Sequence, residues 1–379
     1  CIRDRNDSSI FDLGYLKKGK KKLEQAWRKE SFCPDDLSYI SLKNATLLSS
    51  KGWDNGKLTG GILDEEGSYI ISSGYTCGGG TAYNPDNIII SEDTYIFIGY
   101  FNICWGHAIT DNLSRLWFLK TDKCRYFLAK GAKIVYMTSF NSPLPEWHRE
   151  LFKLANVDIS KWLHITKCVK CKTIILPDLS LFLQNNSLRF TKEYRCVIDT
   201  IKQNIDIKSS CPEKLLFTRS AVDDSREWGE EKNIDELFRK KGFCVISPEK
   251  YSVKEQIQML VHCKFFAAPE GSCSHNAVFC EPGTTVILLR KADYVNLYSI
   301  FIGQFAKVKS IYVDTNATII IHRKTPMVGP FYTYPTFDLY KYLSIFPHHP
   351  IFLFLRKSYW KYIFMLAKIV LNTIVSRLK

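Results

Sequence analysis

Three polar side chains interrupt the otherwise apolar segment WGHAITDNLSRLWFL, residues 105–119. In a helix that begins near Trp105, the side chains of His107, Asp111 and Arg115 are spaced at i, i+4 and i+8, so they lie one above the other. The apolar residues form a separate stripe: Ile109, Leu113, Leu116 and Trp117. The spacing therefore predicts that the polar stripe faces something other than the core.

A histidine beside a carboxylate can take a proton from a substrate hydroxyl. Gly106 precedes His107 where the chain would enter the helix, as at a loop that lines a cleft. The alternative is a solvated face, on which interactions between the three side chains stabilise the helix by a few tenths of a kcal/mol. The pattern leaves both interpretations open.

A second candidate is the segment APEGSCSHNAVFCEPGT, residues 268–284, in which a predicted strand ends at Glu270 and Gly271. A short polar turn leads into a helix over Ser274 to Phe279. Backbone N–H groups at such a helix start suit a diphosphate, and a glycine permits its close approach. The alternative is a turn capped by its own serine and asparagine.

A third candidate combines FTRS with DDSREWGEE. Arg219 follows a predicted strand at the position where a phosphate would be held, and Arg226 lies in the loop beyond. Arginine can bind a phosphate through two parallel hydrogen bonds. The alternative is an ion pair with a nearby carboxylate: Asp223, Asp224 or Glu230.

The elements that must position these residues alternate along the chain. The first hundred residues are predicted to form strands and turns, and from residue 105 to 210 helices alternate with strands such as AKIVYMTS and KTIILPD. After a linker at 209–214, the strands KLLFTRS, FCVISPEK, KFFAAPEG and TTVILLR alternate with helices. This pattern predicts a doubly wound α/β unit, with ligands at the carboxyl ends of its strands.

Charge favours an anionic partner, since 52 Lys and Arg face 38 Asp and Glu for a net charge of +14. Nucleic acid is not predicted, because no nucleic-acid-binding motif is present and the charge is spread rather than striped along one element. The final stretch, 351–379, is predicted to be an amphipathic helix. It carries six basic residues from Arg356 onward and no acidic one. Such a helix can lie on an anionic membrane surface or pack back on the protein with its basic side in water.

The sequence predicts a cytoplasmic location, and the basic C-terminal helix allows peripheral attachment to the inner face of the cell membrane. The 13 cysteines are scattered, which is typical of reduced thiols rather than of a disulfide scaffold. The chain as given begins at Cys1 and shows no signal peptide or long apolar run.

Four motifs follow one another along the chain: GHAITD…W, FTRS…R…GEE, SVKEQI and PEGSCSHNAVFCEPGT. In this order they resemble glycosyltransferase family 61, in its bacterial capsular-polysaccharide branch. The resemblance covers about residues 45 to 315. It implies a GT-B fold of two Rossmann-like domains facing across a cleft. It also implies inverting transfer from a nucleotide sugar with no cofactor and no required metal, and no DxD motif with suitable spacing is present. The domains implied are an acceptor-side domain at 1–208, a nucleotide-sugar domain at 209–320 and a C-terminal extension at 321–379.

Two triplets of the 268–284 segment depart from the family. Many members carry His-Gly-Ala and Leu-Thr-Asn where this chain has Glu270-Gly271-Ser272 and Ser274-His275-Asn276. A histidine suits a nucleotide phosphate, whereas a carboxylate at residue 270 can accept hydrogen bonds from a ribose or sugar hydroxyl. The departure bears on the contacts to the donor more than on the fold.

An inverting transfer needs a base and a site for the departing diphosphate, and we hypothesise these roles for the candidate residues. Asp111 would be the base that deprotonates the acceptor hydroxyl, with His107 as its orienter or as the alternative base. Arg219, Arg226 and the 271–276 backbone would hold the diphosphate. Asn276 and Glu270 would position the nucleotide or the sugar. The acceptor would be a glycan or a lipid-linked oligosaccharide in surface polysaccharide synthesis; the alternatives are a non-catalytic scaffold of polysaccharide assembly and, less favoured, a nucleic-acid-binding protein.

Overall fold

The computed structural model describes residues 11–54, 56–75, 79–206, 211–222, 226–321, 329–347 and 352–378. The chain divides into two compact units. The N-unit comprises Lys29–Ile207 with Ser252–Gln258, and the C-unit comprises Cys1–Arg28, Lys208–Tyr251 and Met259–Lys379. The division after Ile207 lies beside the boundary predicted at residue 208. The start of the chain, predicted within the first domain, groups instead with the second, as does the predicted extension.

The strands among the described residues are, in chain order, β1 (Phe11–Tyr15), β2 (Tyr39–Lys43), β3 (Thr46–Leu48), β4 (Trp53–Asp54), β5 (Lys57–Thr59), β6 (Gly61–Leu63), β7 (Tyr69–Ile70), β8 (Gly80–Thr81), β9 (Ile89–Phe101), β10 (Lys133–Thr138), β11 (Leu163–His164), β12 (Val169–Pro177), β13 (Leu181–Gln184), β14 (Ser187–Phe190), β15 (Lys214–Phe217), β16 (Glu227–Gly229), β17 (Cys244–Ile246), β18 (Phe265–Pro269), β19 (Thr285–Arg290), β20 (Lys309–Asp314) and β21 (Phe331–Thr333).

The α-helices of the same residues are α1 (Lys20–Trp27), α2 (Trp105–Ala108), α3 (Asp122–Ala129), α4 (Glu146–Leu154), α5 (Lys192–Gln203), α6 (Glu231–Lys240), α7 (Val253–His262), α8 (Leu297–Phe305), α9 (Phe337–Leu343) and α10 (Lys357–Leu378).

The C-unit is built on a six-stranded sheet in the order β1-β20-β19-β18-β15-β17, and every neighbouring pair is parallel. Its central strands are apolar runs because a parallel sheet is buried on both faces. From β15 onward the order is that of a doubly wound fold, with β17 on one side of β15 and β18 to β20 on the other. The order therefore reverses between β15 and β18, and ligands bind at such a switch point in open α/β sheets.

Helices α6 and α9 pack on this sheet through a buried apolar cluster that includes Leu237, Phe238, Ile287 and Leu339. Helix α7 begins with a capping box. The Glu255 carboxylate accepts from the Ser252 backbone N–H at 2.8 Å, and the Ser252 hydroxyl accepts from the Glu255 N–H at 3.2 Å. The α/β alternation predicted from residue 214 onward is confirmed.

The N-unit has an eight-stranded mixed sheet. Strands β11, β10, β9 and β12 are parallel, whereas β2 and β3 pair with β12 in the antiparallel sense and β6 and β7 continue beyond β3. Its core contains Leu47, Phe97, Val135 and Ile174. The predicted α/β class is confirmed in both units.

The continuous helix predicted over 105–119 is wrong. The chain forms only the short helix α2 and then two 3₁₀ helices, Asp111–Leu113 and Leu116–Lys120. Thr110 and Arg115 interrupt it with non-helical backbone angles. The Arg115 guanidinium is drawn inward, where Nε donates to the Pro177 carbonyl at 2.7 Å and Nη2 to the Ser72 carbonyl at 2.6 Å. These tertiary bonds outweigh helix propensity, which is a weak preference.

The C-terminal helix begins later than predicted, at Lys357, and a 3₁₀ turn over Leu353–Leu355 precedes it. Its inner side packs on the C-unit through Tyr362 and Leu366, as the packed-helix alternative expects. Within the described residues, no helix has the combination of length and apolar character that crossing a membrane requires.

Helix α1 was missed by the sequence reasoning, which predicted only strands and turns for the first hundred residues. Leu23 and Trp27 are buried, and the Trp27 ring stacks on Phe11 at 5.0 Å. The ring also contacts α8, because a Cβ built on Gly303 would lie 2.3 Å from Trp27 Cη2. Segment 11–28 is thus an integral part of the C-unit.

Trp27→Ala should lower the free energy of unfolding by about 3–5 kcal/mol, because it empties a packed site in the C-unit. Denaturant unfolding of the full chain measures this. Phe337, which is 54% exposed, is the matched control, and its change to alanine should cost no more than about 0.5 kcal/mol. Equal small effects of both substitutions would show that segment 11–28 is not packed as described.

Candidate active site

His107 and Asp111 lie together in the N-unit despite the broken helix. The His107 Nδ1 is 2.7 Å from Asp111 Oδ2, and the Thr110 hydroxyl donates to the same oxygen at 3.0 Å. The Gly106 carbonyl, 2.8 Å away across one turn, is a second acceptor within reach of the single hydrogen of this hydroxyl. The His107 side chain is 30% exposed and that of Asp111 only 6%. The histidine is therefore the member of the pair that solvent reaches.

Two contributions oppose one another at His107. Burial, the largest, lowers its pKa, but the charge of Asp111 and the hydrogen bond to it raise the pKa, and the net result lies above the ordinary value. A carboxylate bound to Nδ1 fixes the tautomer and stabilises the imidazolium, so Nε2 becomes the atom that can accept a proton. The geometry matches that of an orienting carboxylate with a histidine base.

Arg115 does not extend this pair. It is 3% exposed and bonds to backbone carbonyls, which contradicts the predicted three-residue stripe and the solvated-ladder alternative. Instead, Arg115, Asn112 and Asp111 line a small cavity of about 20 Å³, which has room for about one water molecule. The Asn112 amide is buried between Asn102 and His148, where Nδ2 donates to the Asn102 carbonyl at 2.8 Å. One side of Asp111 thus borders a cavity, and the other side holds His107.

In the C-unit, the carboxyl ends of β15 and β19 carry two cations that share one carboxylate. Glu227 Oε1 lies 2.7 Å from Lys291 Nζ and 3.6 Å from Arg219 Nε. Arg219 follows β15 as predicted, but its ion pair with Glu227 was not among the partners considered. Of those, Glu230 pairs with Arg356, and Asp223 and Asp224 lie outside the described residues. An anion is thus already bound by the two cations.

Two carboxyls near these cations have displaced pKa values. Burial, and then the charge of Glu227, raise the pKa of Glu231 to about 7, although Lys291 and Arg219 oppose the shift. Burial raises the pKa of Glu270 to about 7 as well, against the charges of Arg290 and Lys291. Both groups are therefore partly protonated at neutral pH, which reduces the negative charge at this edge of the sheet.

The turn after β18 has an accessible half and a buried half. Gly271 and Ser272 are partly exposed, and Gly271 has a φ of +121°, which favours glycine. A Cβ built on Gly271 would have Lys291 Nζ as its nearest neighbour, at 4.0 Å. A ligand group can therefore approach the backbone here with a cation beside it.

The buried half is the 3₁₀ helix over Ser274–Phe279. The Ser274 hydroxyl accepts from the Gly271 N–H at 3.1 Å and donates to the Gly271 carbonyl at 2.9 Å, and Asn276 Nδ2 donates to the Cys273 carbonyl at 2.9 Å. His275 stacks on Tyr298. These contacts agree with the self-capped turn, so the donor-contact roles of the three side chains stay predictions.

Glu270 occupies a different environment from the one expected. Its side chain is 0% exposed, and its Oε2 lies 3.9 Å from Nε of the buried Arg290. A residue that accepts hydrogen bonds from a ribose must reach the ligand, whereas this carboxyl faces the interior. Arg226, by contrast, is exposed, and its backbone carbonyl accepts from the Phe331 N–H at 2.7 Å.

Lys291 is the site residue that sequence reasoning missed. It is 8% exposed and its Nζ lies 4.5 Å from the centre of the Phe331 ring. The available signal was its place directly after TVILLR, at the carboxyl end of a predicted central strand. Among the residues that the structure describes, no group of three or more His, Cys, Asp or Glu side chains is placed to share a metal ion. Metal independence stays a prediction.

Glu270→Gln should stabilise the protein more at pH 8 than at pH 5, by on the order of 2 kcal/mol. The folded-state pKa of about 7 lies above the ordinary value of 4.5. The folded chain therefore holds an extra proton between these values and loses stability as pH rises through that window. Glutamine stays neutral and removes this loss. Denaturant unfolding at the two pH values tests this prediction, and Glu24→Gln, at an exposed position, is the control. An equal effect of Glu270→Gln at both pH values would contradict a raised pKa of Glu270.

The family model described as Glycosyltransferase 61 matches residues 105–287, a little under half of the chain. The matched segment begins at Trp105 in α2 and ends inside β19, so it includes His107, Asp111, Arg219 and the 270–276 turn. No curated protein matches the chain. Residues 105–287 are thus similar to glycosyltransferase family 61.

Proposed function

We propose that this protein is an inverting, metal-independent glycosyltransferase that moves a sugar from a nucleotide sugar to a glycan or lipid-linked oligosaccharide in surface or capsular polysaccharide synthesis. The observation that carries the proposal is the placement of Arg219, Lys291 and Gly271 at the switch point of a parallel sheet, within or beside the segment that matches the family. The GT-B arrangement implied by the resemblance stays part of the proposal.

The donor diphosphate is proposed to bind at the carboxyl ends of β15, β18 and β19. Arg219 and Lys291 already bind one carboxylate oxygen of Glu227, so a phosphate oxygen can compete for the same donors. The Gly271 and Ser272 backbone gives access beside them. When the bond to the sugar breaks, negative charge grows on the departing diphosphate, and these cations stabilise it.

The base is proposed to be the His107–Asp111 pair. The sequence favoured Asp111 as the base, but its carboxylate is largely covered and accepts two hydrogen bonds, whereas His107 is the exposed member. We therefore assign proton abstraction to His107 Nε2 and orientation to Asp111. The acceptor oxygen attacks the anomeric carbon as its proton passes to His107, and the sugar–phosphate bond breaks on the opposite face.

Arg219→Ala should weaken donor binding about tenfold to a hundredfold, because a charge-assisted hydrogen bond is lost. A panel of nucleotide sugars is screened by thermal shift in EDTA, and the best donor is titrated by calorimetry. The exposed Arg28→Ala removes the same charge elsewhere in the C-unit and should bind the donor normally. If the folded wild-type protein binds no nucleotide sugar in EDTA, a metal-independent donor site is contradicted.

Asp111→Asn should lower kcat by about 10²–10⁴ and move the acidic limb of the pH–rate profile to lower pH. A base must be unprotonated, so activity rises through the pKa of His107, which the Asp111 charge holds above its ordinary value. Removal of that charge lowers the pKa. His107→Gln should lose a similar fraction of turnover, and the exposed Asp158→Asn is the control. Near-normal turnover of His107→Gln, with loss in Asp111→Asn, would make Asp111 the base.

A further inference from the structure

Helix α10 has one side that is fixed to the C-unit. Tyr362 is fully buried among aromatic neighbours that include Tyr332, and its hydroxyl accepts from the Ile319 N–H at 3.0 Å. At the start of the helix, the buried Arg356 pairs with Glu230, and the Ser358 hydroxyl donates to the same carboxylate at 2.7 Å. A buried ion pair holds its geometry because either charge alone would be costly. The orientation of α10 is therefore set by the C-unit.

The opposite side of α10 exposes large apolar side chains. Trp360 is 49% exposed, Phe364 67% and Leu371 60%. Their spacing of i, i+4 and i+11 puts them on one face, well over a quarter turn from Tyr362 at about 100° per residue. Val375 continues the face, and the turn before the helix adds Phe352, Phe354 and Leu355, each 44–64% exposed. Contiguous exposure on this scale marks an interaction site.

A row of lysines borders the apolar face. Lys357, Lys361 and Lys368 repeat at i, i+4 and i+11, so the row runs parallel to the apolar residues and about 60° around the helix from them. All three lysines are exposed, and the sequence from 351 to 379 contains no acidic residue. Long basic side chains beside an apolar stripe can hold their charges at the level of lipid headgroups while the stripe enters the acyl region.

A second copy of the chain fits this surface less well. A two-fold contact through the same patch would bring the two lysine rows together with no acid on either helix, and like charges repel. An anionic lipid surface complements both features, since it attracts the lysines and covers the apolar side chains. The helix, about 33 Å long from 22 residues, would lie flat in the interface.

We propose that the outer face of α10, with the preceding turn at 352–355, docks the protein on an anionic membrane surface. The proposal goes beyond the transferase function and does not rest on it, because it concerns binding alone. Docking on a membrane would bring the protein to a lipid-linked acceptor. A protein without any transferase activity would dock in the same way, so the two proposals can fail separately.

Vesicle flotation of the full-length chain tests the proposal, with phosphatidylcholine vesicles compared with vesicles that also contain phosphatidylglycerol. We expect binding to the anionic vesicles that weakens with salt. Replacement of Lys357, Lys361 and Lys368 by glutamine should reduce that affinity on the order of a hundredfold. The control variant changes Lys20, Lys21 and Lys22 to glutamine; it removes the same charge from α1 and should bind as the wild type does.

The double variant Phe364→Gln/Leu371→Gln tests the contribution of the apolar face of α10. Both positions are exposed, so the fold should be kept, and circular dichroism and thermal unfolding check this. We expect this variant to lose most vesicle binding. The proposal is overturned if the folded wild type does not float with anionic vesicles, if the α1 control loses binding instead, or if the glutamine pair binds normally. A dimer in sedimentation equilibrium that the glutamine pair dissociates would assign the face to a second copy and also overturn it.

Discussion

The guanidinium of Arg290 is the group around which the carboxyl edge of the C-unit sheet is organised. It is 1% exposed and stands at the end of β19. Its polar neighbours come from every segment that ends or begins nearby: the carbonyls of Lys18 and Tyr294 and the carboxylates of Glu270, Asp293 and Asp314. A buried charge requires such partners. The constraint explains why β19 and β20 end in charged residues and why Glu270 directly follows β18, where it is a countercharge to Arg290.

The same constraint sets the charge that a donor would meet. Acidic side chains outnumber cations at this edge, which by itself would repel a diphosphate. The raised pKa values of Glu231 and Glu270, both about 7, show how burial offsets this excess. Among the described residues, Glu227 then remains as a carboxylate that pairs with both Arg219 and Lys291. In the proposed function, a ligand with two phosphates exchanges with this carboxylate, so that two cations hold an anion although the neighbourhood is acidic.

Most of the C-unit could be predicted because each of its central strands is recognisable from a short stretch of sequence. A strand buried on both faces is a short apolar run, and KLLF, FFAAP and TVILLR needed no distant information. What could not be predicted depends on residues far apart in the chain. Strand β1 pairs with β20, about 300 positions away, and nothing in FDLGY specifies that partner. Lys291 escaped notice for a related reason, since its importance comes from Glu227, a neighbour only after β16 and β19 are folded.

In the 105–119 segment, too, the local contacts could be predicted from the sequence and the long-range contacts could not. The His107–Asp111 pair needs one helical turn, and that turn is secured locally, because the Thr110 hydroxyl lies within hydrogen-bond distance of both the Gly106 carbonyl and Asp111. Arg115 needs a second turn, and there the carbonyls of Pro177 and Ser72 compete for its guanidinium. A buried cation bonded to carbonyls gains more than the few tenths of a kcal/mol of an i, i+4 pair. The same break in the helix places Asp111 beside a cavity and leaves the His107 side chain accessible to solvent. A histidine base that is oriented by a carboxylate requires this arrangement, because the base must reach the substrate and the carboxylate need not.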